Sequence, residues 1–204
     1  MERGKDKKNI LIAGLLVIVF AMSVGFAFLS SNLNIEATGT ISGDWNVKFR
    51  PNSLEVLEKT TGVNDTTTQI NSDNMSVTLN ASFEKPGEKI SYEVYIDNQG
   101  NLDGILDSVT LTGDEDNTSV IKLSYEVYDN DKTTLIAKGS ITGNTPVEDS
   151  FTQDTYLAKK SGDVVDYNYV TIRLEYLENT TATSSESATY TLALYYRQPE
   201  VTVE

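Results

Sequence analysis

Residues 85–102, KPGEKISYEVYIDNQGNL, decide the fold class of this chain. Between a Pro-Gly turn and an Asn-Gln-Gly-Asn turn, apolar side chains occupy every second position: Ile90, Tyr92, Val94 and Ile96. A period of two is that of a β-strand with one buried face. The flanking proline, glycine and asparagine residues are typical of tight turns. The stretch therefore predicts a strand of an antiparallel sheet whose other face is polar.

The same alternation recurs on both sides of this stretch, at 45–49, 75–83, 102–111, 121–127, 135–141, 170–176 and 188–196. Short strands joined by polar turns, with no long amphipathic helix after residue 30, predict an all-β fold, an antiparallel β-sandwich. No fixed-period repeat or change in composition divides the strand-rich part. We therefore expect one domain at 44–198 and a short tail at 199–204.

Two segments of this domain are less regular. Residues 53–74 begin with apolar side chains that suit one strand or a helical turn, and a solvated loop is predicted for 60–73. Residues 147–162 are expected to form a short helix or a loop across one end of the sandwich.

The chain opens with a basic segment, 1–8, followed by an uncharged apolar run at 10–29. A helix of about 20 apolar residues is long enough to cross a bilayer. The basic flank should remain on the cytoplasmic side. This arrangement predicts export of the rest of the chain.

A cleavage site lies near the outer end of the apolar run. Gly25 and Ala27 place small residues where a signal peptidase reads positions −3 and −1. We therefore predict that 1–27 is a signal peptide, cleaved between Ala27 and Phe28. The alternative is an uncleaved membrane anchor, since the apolar run is long for a signal peptide.

Residues 28–43 follow as a predicted extended arm. Leu33, Ile35 and Ala37 alternate with polar residues and share one face of a strand. Gly39 and Gly43 interrupt the pattern and would bend or bulge its pairing.

Composition limits the possible functions. The chain has 16 Lys and Arg against 30 Asp and Glu, and no His or Cys. Removing the four basic and two acidic residues of 1–27 leaves 12 and 28, a formal charge of −16. Such a polyanion repels nucleic acid. Without His or Cys, no Ser-His-Asp or Cys-His set can form, so we predict a protein that is not an enzyme, with no catalytic residue and no cofactor. A hydrolase built on paired carboxylates is the remaining enzymatic alternative.

Two further features leave alternatives open. The acidic turns at 114–116 and 129–131 could bind calcium, but Asp and Asn also favour turns for backbone reasons and neither run has EF-hand spacing, so no metal site is predicted. Tyr92 and Tyr95 fall on opposite strand faces, so some of the 11 tyrosines must lie outward. An outward tyrosine can anchor a protein or a sugar ring, or it can simply favour the strand.

With these residues in view, the chain resembles the TasA/camelysin family of exported biofilm-matrix proteins. The likeness lies in the leader, in Pro86-Gly87-Glu88 before a strand, in 98–102 (NQGNL) before the next, and in the closing strand 188–192 (ATYTL). The resemblance implies a jelly-roll-like sandwich that polymerises into extracellular fibres by N-terminal donor-strand exchange. It also implies that Leu33, Ile35 and Ala37 are the self-assembly residues. Some members carry a metalloprotease label, which a chain without histidine does not support.

The sequence therefore favours an exported subunit of a biofilm-matrix-type fibre. Its partners would be copies of itself and other matrix proteins, and it would touch the membrane only through its N-terminal segment. The alternative is a membrane-anchored, cell-surface β-sandwich that binds a ligand.

Overall fold

The computed structural model describes residues 44–199, apart from 66, 117–118, 152–155 and 179–183. These residues belong to one unit, Gly43–Glu204. The predicted cleavage site at Ala27 and Phe28, the arm with Leu33, Ile35 and Ala37, and residues 200–204 of the tail lie outside the described residues. Within the described ranges, no helix has the length and apolarity that a membrane span requires.

The described chain forms two antiparallel sheets. Sheet A has the strand order β1-β6-β12-β8-β9, with β2 pairing to the same edge of β6 as β1. Sheet B has the order β10-β7-β13-β5-β3, with β11 also on β7 and β4 also on β5. The strands are β1 (Val47–Phe49), β2 (Glu55–Lys59), β3 (Asn64–Asp65), β4 (Gln69–Ile70), β5 (Ser76–Phe83), β6 (Lys89–Asn98), β7 (Gly104–Gly113), β8 (Ile121–Tyr128), β9 (Leu135–Thr142), β10 (Val147–Ser150), β11 (Tyr156–Leu157), β12 (Asp166–Tyr176) and β13 (Glu186–Arg197).

From β5 onward the chain crosses between the sheets at most connections, and only β8–β9 and β10–β11 stay within one sheet. The resulting orders, β6-β12-β8-β9 and β10-β7-β13-β5, are those of two interleaved Greek keys, the strand arrangement of a jelly roll. The predicted antiparallel β-sandwich is confirmed.

The core lies between the sheets and is filled by the apolar faces of the alternating strands. Ile90, Tyr92, Val94 and Ile96 are each at most 2% exposed, as their period of two predicts. Residues of both sheets join one hydrophobic cluster. This shared core is what makes the two sheets a sandwich.

The buried tyrosines satisfy their hydroxyl groups, as burial requires. Tyr125 Oη donates to Asp149 Oδ2 at 3.0 Å, from sheet A to sheet B. Tyr176 Oη donates to the Ser184 carbonyl oxygen at 3.1 Å. Tyrosine therefore fills core volume and also joins separate parts of the sandwich.

The acidic residue that follows the Pro-Gly turn accepts hydrogen bonds from the backbone of the turn. Glu88 is 3% exposed, and its Oε2 accepts hydrogen bonds from the backbone N–H groups of Glu84 at 2.7 Å and Lys85 at 3.2 Å. The carboxylate thereby closes the turn between β5 and β6.

The Asn-x-Gly turn is likewise structural. Asn98 is fully buried, and its Nδ2 donates to the carbonyl oxygens of Leu102 at 2.8 Å and Leu157 at 3.1 Å. A Cβ at Gly100 would lie 2.2 Å from the Asp44 carbonyl oxygen, so only glycine fits there.

The two irregular segments agree with their predictions only in part. Residues 55–59 form strand β2, the first of the two predicted alternatives, whereas the expected loop at 60–73 contains β3 and β4. Residues 147–162 contain β10 and β11 and no described helix. The pattern misled because these short strands pair on one side only, and partly exposed edge strands need no strict alternation.

Candidate functional site

A trough of about 710 Å³ lies on the outer face of sheet A and is lined by residues of several neighbouring strands. It passes over five strands, β2, β6, β12, β8 and β9. Neighbouring strands lie about 4.8 Å apart, so the trough is roughly 19 Å long. The side chains that line it are mostly hydroxyl-bearing or charged: Leu57, Glu58, Ser91, Lys122, Ser124, Glu126, Lys138, Ser140, Thr171 and Arg173.

The pairing register of the strands places the residues of the trough floor side by side. Arg173 on β12 lies opposite Ser91 on β6 and Ser124 on β8, and Ser124 lies opposite Ser140 on β9. Directly opposite residues bring their side chains close on the same face of the sheet. The result is a row of three hydroxyl groups with one guanidinium among them.

The guanidinium of Arg173 forms one side-chain hydrogen bond within the described structure, to Ser91. Its Nε donates to Ser91 Oγ at 3.2 Å. The side chain is exposed, and no carboxylate of the described residues forms an ion pair with it. Both terminal amino groups of the guanidinium therefore point to no acidic partner in the described structure.

The two carboxylates that line the trough are already engaged. Glu58 Oε1 forms an ion pair with Lys89 Nζ at 3.1 Å. Glu126 Oε2 accepts a hydrogen bond from Tyr128 Oη at 2.6 Å, and this bond raises the pKa of Tyr128. The ion pair with Lys89 offsets the charge of Glu58, whereas Glu126 keeps its charge beside a neutral donor.

Like Arg173, the two lysines that line the trough lack an ion pair with a described residue. Lys122 and Lys138 lie opposite Glu175 and Glu126 across the strands, yet neither lysine forms an ion pair with a described residue. The trough therefore presents three cationic side chains that form no ion pair with a described residue, against two carboxylates.

A tyrosine cluster borders the trough. Tyr95, Tyr169 and Tyr128 stand in register across β6, β12 and β8, one row beyond Thr171. The ring centroids of Tyr95 and Tyr169 are 5.5 Å apart, and those of Tyr128 and Tyr169 are 6.2 Å apart. Burial, followed by the hydrogen bond to Glu93, raises the pKa of Tyr169. The prediction that tyrosines of one strand divide between core and surface is confirmed by Tyr95 and the buried Tyr92.

Cations of the protein itself cover this cluster. The Arg50 guanidinium lies 4.8 Å from the Tyr95 ring centroid, and Lys132 Nζ lies 4.4 Å from that of Tyr169. Lys132 Nζ also donates to Tyr95 Oη at 2.6 Å. The ring faces of Tyr95 and Tyr169 are therefore used in cation–π contacts within the protein, and the trough is the better candidate for a ligand.

The carboxylates of the two acidic turns accept hydrogen bonds from nearby backbone N–H groups. Asp131 Oδ1 accepts hydrogen bonds from the backbone N–H groups of Thr133 and Thr134, both at 2.8 Å. The Thr134 hydroxyl and these backbone groups hold the pKa of Asp131 well below its usual range. Asp114 Oδ1 accepts from the Glu115 backbone at 2.7 Å. Among the described residues no three acidic side chains come together as a metal site.

The sequence did not single out the trough residues. Ser91 and Arg173 were visible only as polar positions between apolar ones, in 89–98 and 166–176. Their outward direction could be read from that alternation, but their proximity depends on a pairing between strands 82 residues apart.

The chain is similar to solved carbohydrate-binding modules, at low sequence identity. Neither a family model nor a curated protein matches this chain. Among solved structures, a low-affinity xylan-binding module, CBM86, from Roseburia intestinalis is 15% identical, with 76% of this chain and 97% of that chain covered and a TM-score of 0.35. A family 11 carbohydrate-binding module from Clostridium thermocellum, in complex with a mixed-linked tetrasaccharide, is 7% identical, with 74% and 92% covered and a TM-score of 0.34. TM-scores this low do not carry the ligands of those modules over to this protein.

Proposed function

We propose that this protein is an exported, cell-surface binding module that holds an extended polysaccharide in the trough across sheet A. The observation that carries the proposal is the row of Ser91, Arg173, Ser124 and Ser140 on the floor of a trough about 710 Å³ in volume. Hydroxyl groups can both donate and accept, which suits a ligand rich in hydroxyl groups.

The shape of the trough favours a polysaccharide over a peptide strand. A peptide that adds to a sheet pairs with an edge, whereas the trough lies on the outer face and spans five strands. Protein partners are usually anchored by aromatic and apolar side chains. Leu57 is the apolar side chain that lines the trough from outside the core, since Tyr125 and Ile172 are buried.

A variant that fills the trough tests the proposal. Thr171→Trp places a large side chain in the centre of the floor, and Thr112→Trp places one on the outer face of sheet B. Binding to a panel of neutral and acidic polysaccharides is measured by affinity electrophoresis and calorimetry. We expect at least one polysaccharide to bind, Thr171→Trp to lose that binding, and Thr112→Trp to keep it. Failure of the whole panel to bind, or unchanged binding by Thr171→Trp, would overturn the proposal.

The second candidate is the fibre subunit implied by the family resemblance. The observation that favours it is strand β9, Leu135–Thr142, which pairs only with β8 among the described strands and has Lys138 as its one charged residue. A long open edge with little charge is suited to accept an added strand. A head-to-tail contact of this kind does not close on itself and produces filaments.

Charging one face of the arm tests this candidate. In Leu33→Asp with Ile35→Asp, a donor strand would carry two unpaired carboxylates into its neighbour, and assembly should stop. Asn34→Asp, on the other face, is the control and should still assemble. Electron microscopy of the mature protein gives the result. Filaments formed by the double variant, or none formed by the unaltered protein, would contradict the fibre candidate.

A further inference from the structure

We infer that the polysaccharide held by the trough is acidic and that its carboxylate groups are bound by Arg173, Lys122 and Lys138. This inference rests on the proposed function and specifies the chemical class of the ligand. It follows from the charges that line the trough: three basic side chains, none of them in an ion pair with a described residue, against two acidic ones, of which Glu58 is paired with Lys89.

The contacts show this excess of basic side chains. Glu58 is paired with Lys89, and Glu126 accepts a 2.6 Å hydrogen bond from the neutral Tyr128 hydroxyl. The ion pairs of the described chain are Arg50–Asp97, Lys89–Glu58 and Arg197–Asp107, so none uses a cation that lines the trough. A ligand carboxylate would supply the missing partner.

The net negative charge of the protein makes three basic side chains without an ion pair in one trough unexpected. Residues 28–204 carry 12 basic against 28 acidic side chains, so an unpaired cation has many possible acidic partners. Three of the 12 nevertheless line one trough without an ion pair. Coulombic attraction at short range can therefore favour an anion there even though the protein as a whole is negative.

Arg173 has the geometry for a carboxylate. Its Nε is occupied by Ser91 at 3.2 Å, which fixes the guanidinium plane and leaves the two terminal amino groups to form parallel hydrogen bonds with two oxygens. Lys122 lies two residues along β8 from Ser124, the residue opposite Arg173, and so is its diagonal neighbour at about 7–8 Å. The two cations can thus contact one acidic sugar or two consecutive ones.

Binding to polygalacturonate tests the inference directly. The probes are polygalacturonate, its methyl ester, a neutral β-glucan and dextran sulfate, each titrated into the mature protein by calorimetry at low and high salt. We expect polygalacturonate to bind, its methyl ester and the glucan to bind at least about tenfold more weakly, and added salt to weaken binding by screening.

Variants then locate the contact. Arg173→Gln should lower the affinity for polygalacturonate about tenfold or more. Arg173→Lys should keep only part of the unaltered affinity, because lysine retains the positive charge but cannot form two parallel hydrogen bonds with a carboxylate. Lys160→Gln removes an exposed cation outside the trough and serves as the control. Should Arg173→Gln unfold, Lys122→Gln and Lys138→Gln test the same site.

Each outcome has a distinct meaning. Equal binding of the methyl ester or the glucan would leave the proposed function standing and overturn the acidic ligand. Tighter binding of dextran sulfate than of polygalacturonate would replace carboxylate by sulfate and also overturn it, as would unchanged affinity in all three trough variants. Binding of none of the four probes would overturn the acidic ligand, and failure of the whole panel as well would overturn the proposed function.

Discussion

Tyr190 Oη donates a 2.7 Å hydrogen bond to the backbone carbonyl oxygen of Ile121, and both residues are fully buried. Tyr190 lies on β13 of sheet B and Ile121 begins β8 of sheet A, so the bond joins the two sheets through the core. A buried carbonyl oxygen that loses its donor costs free energy, because no water replaces the bond.

Tyr190→Phe should therefore lower the free energy of unfolding by about 1–3 kcal/mol, measured by urea denaturation. Tyr195→Phe is the control, since Tyr195 is 48% exposed on the same strand and its change should stay within about 0.5 kcal/mol. Equal stability of the two variants would show that the bond between the sheets contributes little.

Alkaline pH should destabilise the protein through its buried tyrosines. Burial raises the pKa of Tyr190 to about 12, against a smaller opposite effect of a hydrogen bond from the Gly143 backbone. An unfolded tyrosine has a pKa near 10. Between about pH 10 and 12 the native state thus holds a proton that the unfolded state has lost, so stability is full below pH 10 and falls as pH rises through this window. Urea denaturation from pH 8 to 11.5 should show this fall, and Tyr190→Phe should show a shallower one. A flat profile would contradict the prediction.

The ion pair of Arg50 with Asp97 should contribute to stability. Its Nη2–Oδ1 distance is 2.7 Å, and the Asp97 side chain is only 6% exposed. Asp97→Asn leaves the guanidinium with a weaker acceptor at a largely desolvated position, at an expected cost of about 1–3 kcal/mol. Asp107→Asn is the matched control, because the pair of Asp107 with Arg197 is exposed and should contribute at most about 1 kcal/mol. Thermal or urea unfolding of the two variants gives the comparison, and a larger loss in the control would refute it.

Gly62 should not tolerate a side chain. Its φ is +102°, and a Cβ there would lie 2.2 Å from Glu88 Oε1. Gly162 has φ +61° with no atom within 4 Å of a Cβ, so Gly162→Ala should cost only the backbone strain, about 1 kcal/mol. Gly62→Ala should cost more, since it must also displace the carboxylate that closes the turn between β5 and β6. The difference in unfolding free energy between the two variants measures this steric cost together with the greater backbone strain at φ +102°, and a difference of zero would contradict the prediction.

The exported protein should begin at Phe28. Small residues at Gly25 and Ala27, at the end of the apolar run, motivate this prediction. Mass spectrometry of protein released from cells gives the mature N-terminus directly. Recovery of only the full-length chain in the membrane fraction would favour an uncleaved anchor and remove the free arm that a fibre subunit needs.

The long strands could be predicted because their signal is local. Alternation at 90–96 and 170–176 depends only on the direction in which successive side chains point. The apolar side chains of both runs are buried as predicted. The short strands β3, β4, β10 and β11 were missed because each pairs on one side only and is too short for an apolar period to mark it.

The all-β class, the sandwich and the direction of each long strand's polar face were determined by the sequence itself, since a period of two is a property of consecutive residues. The trough was decided only by the tertiary structure. Arg173, Ser91 and Ser124 lie far apart in the chain and become neighbours through the register of β12 with β6 and β8. That register depends on which strands pair, and pairing is selected by burial of the whole core and not by any local run of residues.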